Sequence, residues 1–231
     1  MKCRGVWLLT GLSIGLIGCG HRNEQYVLPD QVADFAALYE SNCAGCHGQN
    51  GHFGAARPLN DPLYLALISR EKLRNVIASG VPRTAMPAFA KNAGGTLTDQ
   101  QIAILADQIE TRWSRPSEFA GVALPPYSAD PGERGHGVGV FLAYCSGCHG
   151  DGGTPGSKGG SVVNPAYLAL VSDQTLRTTV IAGRADQGIP NWRTYSPGNP
   201  MTPQEISDVV AWLSAQRKLP GNQQHQGASL R

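Results

Sequence analysis

The chain writes Cys43-Ala44-Gly45-Cys46-His47-Gly48 and, 102 residues later, Cys145-Ser146-Gly147-Cys148-His149-Gly150. Two C-x-x-C-H sites predict covalent attachment of two c-type haems. Cys43 and Cys46 are expected to hold the first porphyrin through thioethers, and Cys145 and Cys148 the second. His47 and His149 are expected to supply the proximal iron ligands. Four cysteines and two histidines could instead bind one zinc, or the cysteines could pair as disulfides. That reading leaves unexplained why both pairs carry an immediate histidine and glycine. Adjacent cysteine and histidine ligands also strain a tetrahedral site. Haem carries redox chemistry and the protein tunes it, so electron transfer is the leading expectation.

The N-terminus suggests where that chemistry happens. Lys2 and Arg4 precede an apolar run from Val6 to Ile17. This is a signal-peptide pattern, too short for a confident membrane span. Leu16-Ile17-Gly18-Cys19 resembles the bacterial lipobox, in which the peptide is cut before a cysteine that becomes lipidated. The alternative is an ordinary secretory signal with an incidental cysteine. Haem uses the four later cysteines, so Cys19 has no partner, and acylation removes an exposed thiol. Each buried CH₂ of an acyl chain contributes about 0.8 kcal/mol, so several chains anchor a domain stably. The expected location is the periplasmic side of a bacterial membrane.

The full chain carries 19 basic and 17 acidic side chains. Cleavage before Cys19 removes Lys2 and Arg4 and leaves 17 of each. Haem propionates would take the charge below zero. Without a basic patch or arginine cluster, nothing points to nucleic acid.

A tandem repeat organises the rest, at an offset of 102 to 104 residues. Asn60-Asp61-Pro62-Leu63-Tyr64-Leu65-Ala66-Leu67 returns as Asn164-Pro165-Ala166-Tyr167-Leu168-Ala169-Leu170. Leu73-Arg74 matches Leu176-Arg177, and Leu97-Thr98 matches Met201-Thr202. Two copies of one domain follow. Each is small for a polypeptide core alone, and a buried haem would supply much of the missing apolar interior. The expected organisation is a signal peptide over 1–18, a lipidated tether over 19–32 and a first domain over 33–113. A Pro- and Gly-containing linker over 114–129, a second domain over 130–217 and a polar tail over 218–231 complete it.

Each copy reads as helical, and strand signals are nearly absent. Residues 31–42 and 133–144 lead into the cysteine motifs, with Gly135, Gly137 and Gly139 weakening the second of these helices. Middle helices are expected from Ser69 to Ser79 and from Ser172 to Ala182. Thr98 and Thr202 read as N-caps of the last helices, with Pro203 at N1 and Glu205 at N3. Ile102, Leu105 and Ile109, like Ile206, Val209, Val210 and Leu213, line the expected buried faces.

This arrangement resembles class I cytochrome c, repeated in tandem as in dihaem cytochromes c of the lipoprotein type. The resemblance covers about residues 33–217 and implies an all-α fold of two such domains, each wrapped around one covalently bound haem. It also implies a distal methionine in a Met-Pro context after the middle helix. Met86-Pro87 meets that pattern, 39 residues after His47. Pro58 and Leu59 resemble the family pair beside the proximal histidine, and the Pro58 carbonyl is a candidate acceptor for the His47 Nδ1 proton. His52 reads as a loop histidine. Tyr64 and Tyr167 recur at equivalent positions, against haem or in ordinary helix packing.

The second copy departs from the pattern. Aligning the repeats sets Ile189-Pro190 on Met86-Pro87. Met201 lies 52 residues after His149. It is the preferred ligand for the second iron, delivered by the longer loop over 192–200. The alternative is that Met201 packs like Leu97 and the iron is five-coordinate or uses another ligand. Two six-coordinate irons imply a membrane-anchored relay between respiratory or periplasmic redox proteins, namely a terminal oxidase, a quinol-oxidising complex or a dehydrogenase. An electron-transfer subunit of a quinol-oxidising or dehydrogenase complex is a second reading. A peroxidase-like enzyme is a third, with His136 as a distal or interdomain group; otherwise His136 reads as an exposed residue on the glycine-rich helix start. The Gly152–Gly160 stretch lacks the order of a phosphate loop and reads as a flexible loop around haem.

Overall fold

The computed structural model describes residues 26–82 and 84–217. The expected signal peptide over 1–18, Cys19 and the expected polar tail over 218–231 lie outside the described residues. Among those residues the chain is helical and has no sheet. Its only strand-like pairings are two isolated bridges, Ala90 with Leu97 and Arg184 with Ile189.

The first repeat contributes five helices: α1 (Phe35–Asn42), α2 (Ala44–His47), α3 (Pro62–Leu67), α4 (Arg70–Ser79) and α5 (Asp99–Trp113). The expected helix over 31–42 begins later. Pro29–Gln31 forms a separate 3₁₀ turn, and Asp34 in extended conformation caps α1 by accepting from the Ala37 N–H. That cap satisfies one of the N–H groups left free at a helix start. Ser69 caps α4, and Thr98 with Gln101 forms a reciprocal capping box on α5. Gly80 ends α4 with φ at 67°, a conformation that favours a residue without Cβ. Helix α1 packs on α5, and the Trp113 ring meets Phe35 and Tyr39 edge-on. Ile102, Leu105 and Ile109 are fully buried there, each contributing about 1.5–3 kcal/mol by leaving water.

The second repeat runs through α6 (Arg134–Tyr144), α7 (Ser146–His149), α8 (Pro165–Leu170), α9 (Asp173–Ala182) and α10 (Pro203–Ala215). Its last helix starts on the Thr202–Glu205 capping box with Pro203 at N1. Helix α6 crosses α10, and the Phe141 and Trp212 rings lie 4.3 Å apart between them. A Cβ on Gly137 would collide with the Asp208 carbonyl, so this glycine sets the approach of the two helices. Gly135 and Gly139 face open space.

The segment between the repeats is tied down. Pro116–Phe119 turns against α3. Arg177 donates to the Pro126 carbonyl through Nε and Nη2, and Gln174 donates to the Tyr127 carbonyl. The repeats also bond directly. Arg57 Nη2 donates to Thr179 Oγ1 at 2.9 Å, Arg184 Nη2 to the Gly54 carbonyl at 3.2 Å, and the Phe53 N–H to Asp186 Oδ2 at 3.3 Å. This polar seam joins the loop after α2 to α9 and the turn that follows it.

Candidate functional site

Each cysteine pair sits on one helical turn. Cys43 ends α1 and Cys46 lies within α2; Cys145 ends α6 and Cys148 lies within α7. All four thiols are free. Burial, and then the neighbouring Cys46, pushes the Cys43 thiol up to about 11. Burial, and then Cys148, pushes Cys145 up to about 12. Both stay protonated at neutral pH, where a thiol is a poor nucleophile. Cys46 and Cys148 are exposed.

The histidines are held alike. His47 Nδ1 lies 2.7 Å from the Arg57 carbonyl, and His149 Nδ1 lies 2.7 Å from the Gly160 carbonyl. A carbonyl only accepts, so each Nδ1 carries a proton and donates it, which leaves Nε2 as the nitrogen able to bind a metal. A ligand histidine needs this tautomer and a carbonyl partner of this kind. Burial holds His47 below its usual pKa against the opposing effect of the Arg57 carbonyl, and the Arg184 and Arg57 charges act in the same direction as burial. The imidazole is therefore neutral at pH 7, as metal binding requires. Two thiols on one turn and an imidazole with a free Nε2 make a donor set suited to a c-type haem, and the set occurs twice. Among the described residues no three His, Cys, Asp or Glu side chains gather as a metal-ion site, so the alternative of one shared zinc has no site there.

The acceptor for His47 is Arg57, not Pro58 as the sequence suggested. Pro58 is buried one residue further on, and its neighbour Leu59 joins the core. The Arg57 guanidinium lies at the seam, 5.2 Å from the Tyr64 ring centroid and 3.7 Å from Asp61. Asp61 caps α3 by accepting from the Leu63 and Tyr64 N–H groups. Arg57 Nη1 and Asp61 Oδ2 are buried without a hydrogen-bond partner. Burial holds the arginine below, and the carboxyl above, their usual pKa values. Arg184 clamps Asp186 through Nε and Nη2, both at 3.0 Å, and those bonds pull the carboxyl down. Sequence reading passed over Arg57, Arg184 and Gly160. Their roles depend on partners distant in the chain or on a backbone carbonyl, neither of which leaves a local pattern. In the glycine-rich loop, a Cβ on Gly159 would come within 2.7 Å of His149 Nδ1, so the loop lies against the ring rather than free of it.

The two methionines differ. Met86 is half-buried in the loop after α4. Met201 is 2% exposed, and its N–H donates to the Trp192 carbonyl at 3.0 Å. Ile189 is half-buried in the loop after α9. His136 is exposed near the start of α6, as expected from its glycine-rich setting, and its Nδ1 bonds Asp208 Oδ2 at 2.6 Å across the α6–α10 crossing. His52 stands beside Phe53 in the loop after α2. Tyr64 is buried against Arg57, whereas Tyr167 is exposed.

The profile of the family described as "Cytochrome C oxidase, cbb3-type, subunit III" matches residues 30–108 and 133–213. Three relatives are similar along much of the chain. A dihydro-heme d1 dehydrogenase of Pseudomonas aeruginosa is 29% identical over 61% of this chain and 28% of its own length. The cbb3-type oxidase subunit FixP of Bradyrhizobium diazoefficiens is 28% identical over 67% of this chain and 52% of its own. The subunit CcoP of an Azospirillum species is 28% identical over 70% and 55%. The chain thus spans about half the length, or less, of the curated relatives it matches.

Proposed function

Because the chain belongs to the cytochrome C oxidase, cbb3-type, subunit III family, we propose that it is a dihaem c-type electron carrier, not an enzyme, serving a respiratory complex. The observation that carries this reading is the pair of matching donor sets, each with an imidazole pinned through Nδ1 at 2.7 Å. Bound haem supplies a one-electron couple. The chain's own residues do the rest. Cys43 and Cys46 hold the first group and Cys145 and Cys148 the second, within domains over 33–113 and 130–217 joined by 114–129. His47 and His149 present Nε2 to iron, and the bonds to Arg57 and Gly160 stop the rings from turning. Met86 completes the first iron. For the second iron the sequence nominates Met201, and the alternative is a five-coordinate iron or another ligand.

The same reading sets the protein on the periplasmic side of a bacterial membrane, tethered over 19–32 by lipid on Cys19 once 1–18 is removed. It is supported by the lipobox-like residues before Cys19 and by family membership. No helix among the described residues is long and apolar enough to cross a membrane. The electron partners are membrane-bound or periplasmic redox proteins: a terminal oxidase, a quinol-oxidising complex or a dehydrogenase.

The test joins haem counting to fractionation. Denaturing electrophoresis with haem staining, and a pyridine haemochrome assay normalised to protein, should give two covalent haems per chain. One haem, or haem lost on denaturation, would reject the reading. Mass spectrometry should find an acylated Cys19 at the mature N-terminus, and Cys19→Ser should release the protein from the membrane fraction. An unmodified Cys19 would reject the anchor.

A further inference from the structure

The two distal loops make the same backbone bonds but present different side chains. After Gly80, the Val81 N–H donates to the Met86 carbonyl at 3.1 Å. After Gly183, the Arg184 N–H donates to the Ile189 carbonyl at 3.1 Å. Gly80 lies against the Pro87 backbone, and Gly183 lies against that of Pro190. Further along, the Phe89 carbonyl accepts from the Leu97 N–H at 2.8 Å, and the Trp192 carbonyl accepts from the Met201 N–H at 3.0 Å. Leu97 precedes the Thr98 capping box, and Met201 precedes the Thr202 capping box. Each of these anchors pairs Met86 with Ile189 and Leu97 with Met201. The extra residue of the second loop falls between Trp192 and Met201, after the Ile189 register is set.

Met201 is also fixed from both sides. Its own N–H is bonded, the next residue caps α10, and its side chain is as buried as Leu97, which is 5% exposed. Its backbone register is thus that of Leu97, and its side chain lies in the core rather than at the surface.

We propose that the second haem has no side-chain ligand opposite His149, because Ile189 stands where the first repeat presents Met86 and Met201 is a core residue in register with Leu97. This rests on the dihaem reading above. The aliphatic Ile189 has no lone pair to offer iron and makes an apolar wall. The vacant position suits a small neutral diatomic ligand of ferrous iron.

The test uses the full mature chain with its haems, reduced with dithionite and titrated with carbon monoxide. Haem is counted independently by pyridine haemochrome. The parent should take up one carbon monoxide per two haems. Ile189→Met should abolish that uptake and double the weak near-infrared sulfur-to-iron band of the oxidised protein. Met201→Leu should change neither. Two haems with no uptake by the parent would overturn the proposal alone. So would a near-infrared band halved by Met201→Leu, which would restore Met201 as a ligand. A count of one haem would overturn the dihaem reading beneath it.

Discussion

Arg57 in the first repeat donates Nη2–H to Thr179 in the second at 2.9 Å, while its own carbonyl receives the Nδ1 proton of His47 at 2.7 Å. One residue thus orients His47 and binds the other repeat. Thr179→Val keeps the shape and removes the acceptor, leaving a buried guanidinium N–H unpaired. The expected loss is about 1–3 kcal/mol. Thermal unfolding of the holoprotein measures it, and an unchanged midpoint would mean that the seam bond contributes nothing.

Met86→Leu conserves volume, so the packing cost is expected to stay below about 1.5 kcal/mol. The sulfur goes with it. The oxidised protein should lose the near-infrared charge-transfer band of the first haem, and the potential of that haem should fall. Redox titration followed optically reads both. Retention of the band and potential would remove Met86 from the site.

Gly137 and Gly139 are neighbours on α6 with opposite expectations. Gly137→Ala drives a methyl into the Asp208 backbone and should cost about 1–3 kcal/mol. Gly139→Ala meets nothing within 4 Å and should gain about 0.5–1 kcal/mol from helix propensity and a stiffer unfolded chain. Denaturant midpoints of the two variants should fall on opposite sides of the parent.

The His136–Asp208 pair makes stability depend on pH in a defined sense. The bond to Asp208 raises the His136 pKa above its ordinary 6.5. Its stabilisation is complete below that unfolded value and is lost as pH rises through the raised folded value. Burial works against the Asp208 charge, but the bonds from His136, Glu133 and Gln204 win and lower its pKa below 3.8. That contribution is complete above 3.8 and is lost as pH falls through the depressed folded value. The difference in melting temperature between parent and His136→Gln should therefore be widest between these limits and close at alkaline pH. A difference that stays constant into the alkaline range would show that the variant acts by packing alone.

Local signals carried much of this fold. Ser69, Thr98, Ser172 and Thr202 read as helix starts because a capping side chain acts within three residues of itself. The short helices α3 and α8 follow the same rule through Asp61-Pro62 and Asn164-Pro165, and could have been assigned from those dipeptides. Helix propensity, which describes an isolated helix, leaves out the role of Gly137, because that role is fixed by Asp208 on another. The His47 acceptor was misread by one residue, from Arg57 to Pro58, since the peptide carbonyl has no side-chain signature. Met201 left two readings because repeat alignment and ligand spacing disagreed. The Met201 bond to Trp192 repeats the Leu97 bond to Phe89, which is the register of the repeat alignment. The seam had no sequence signal at all, since Arg57 and Thr179 meet only in three dimensions.

The three bonds that cross the seam would be a weak interface between separate proteins. Here both sides belong to one chain, joined through 114–129. Their encounter is intramolecular, with an effective concentration on the order of millimolar for a short flexible connection. The Pro126 and Tyr127 carbonyls hold that connection to α9, which leaves it less freedom still. The halves thus act as an intramolecular heterodimer. Neither can unfold without stripping Arg57 or Arg184 of partners on the opposite half, so the duplicated chain should melt as one cooperative unit.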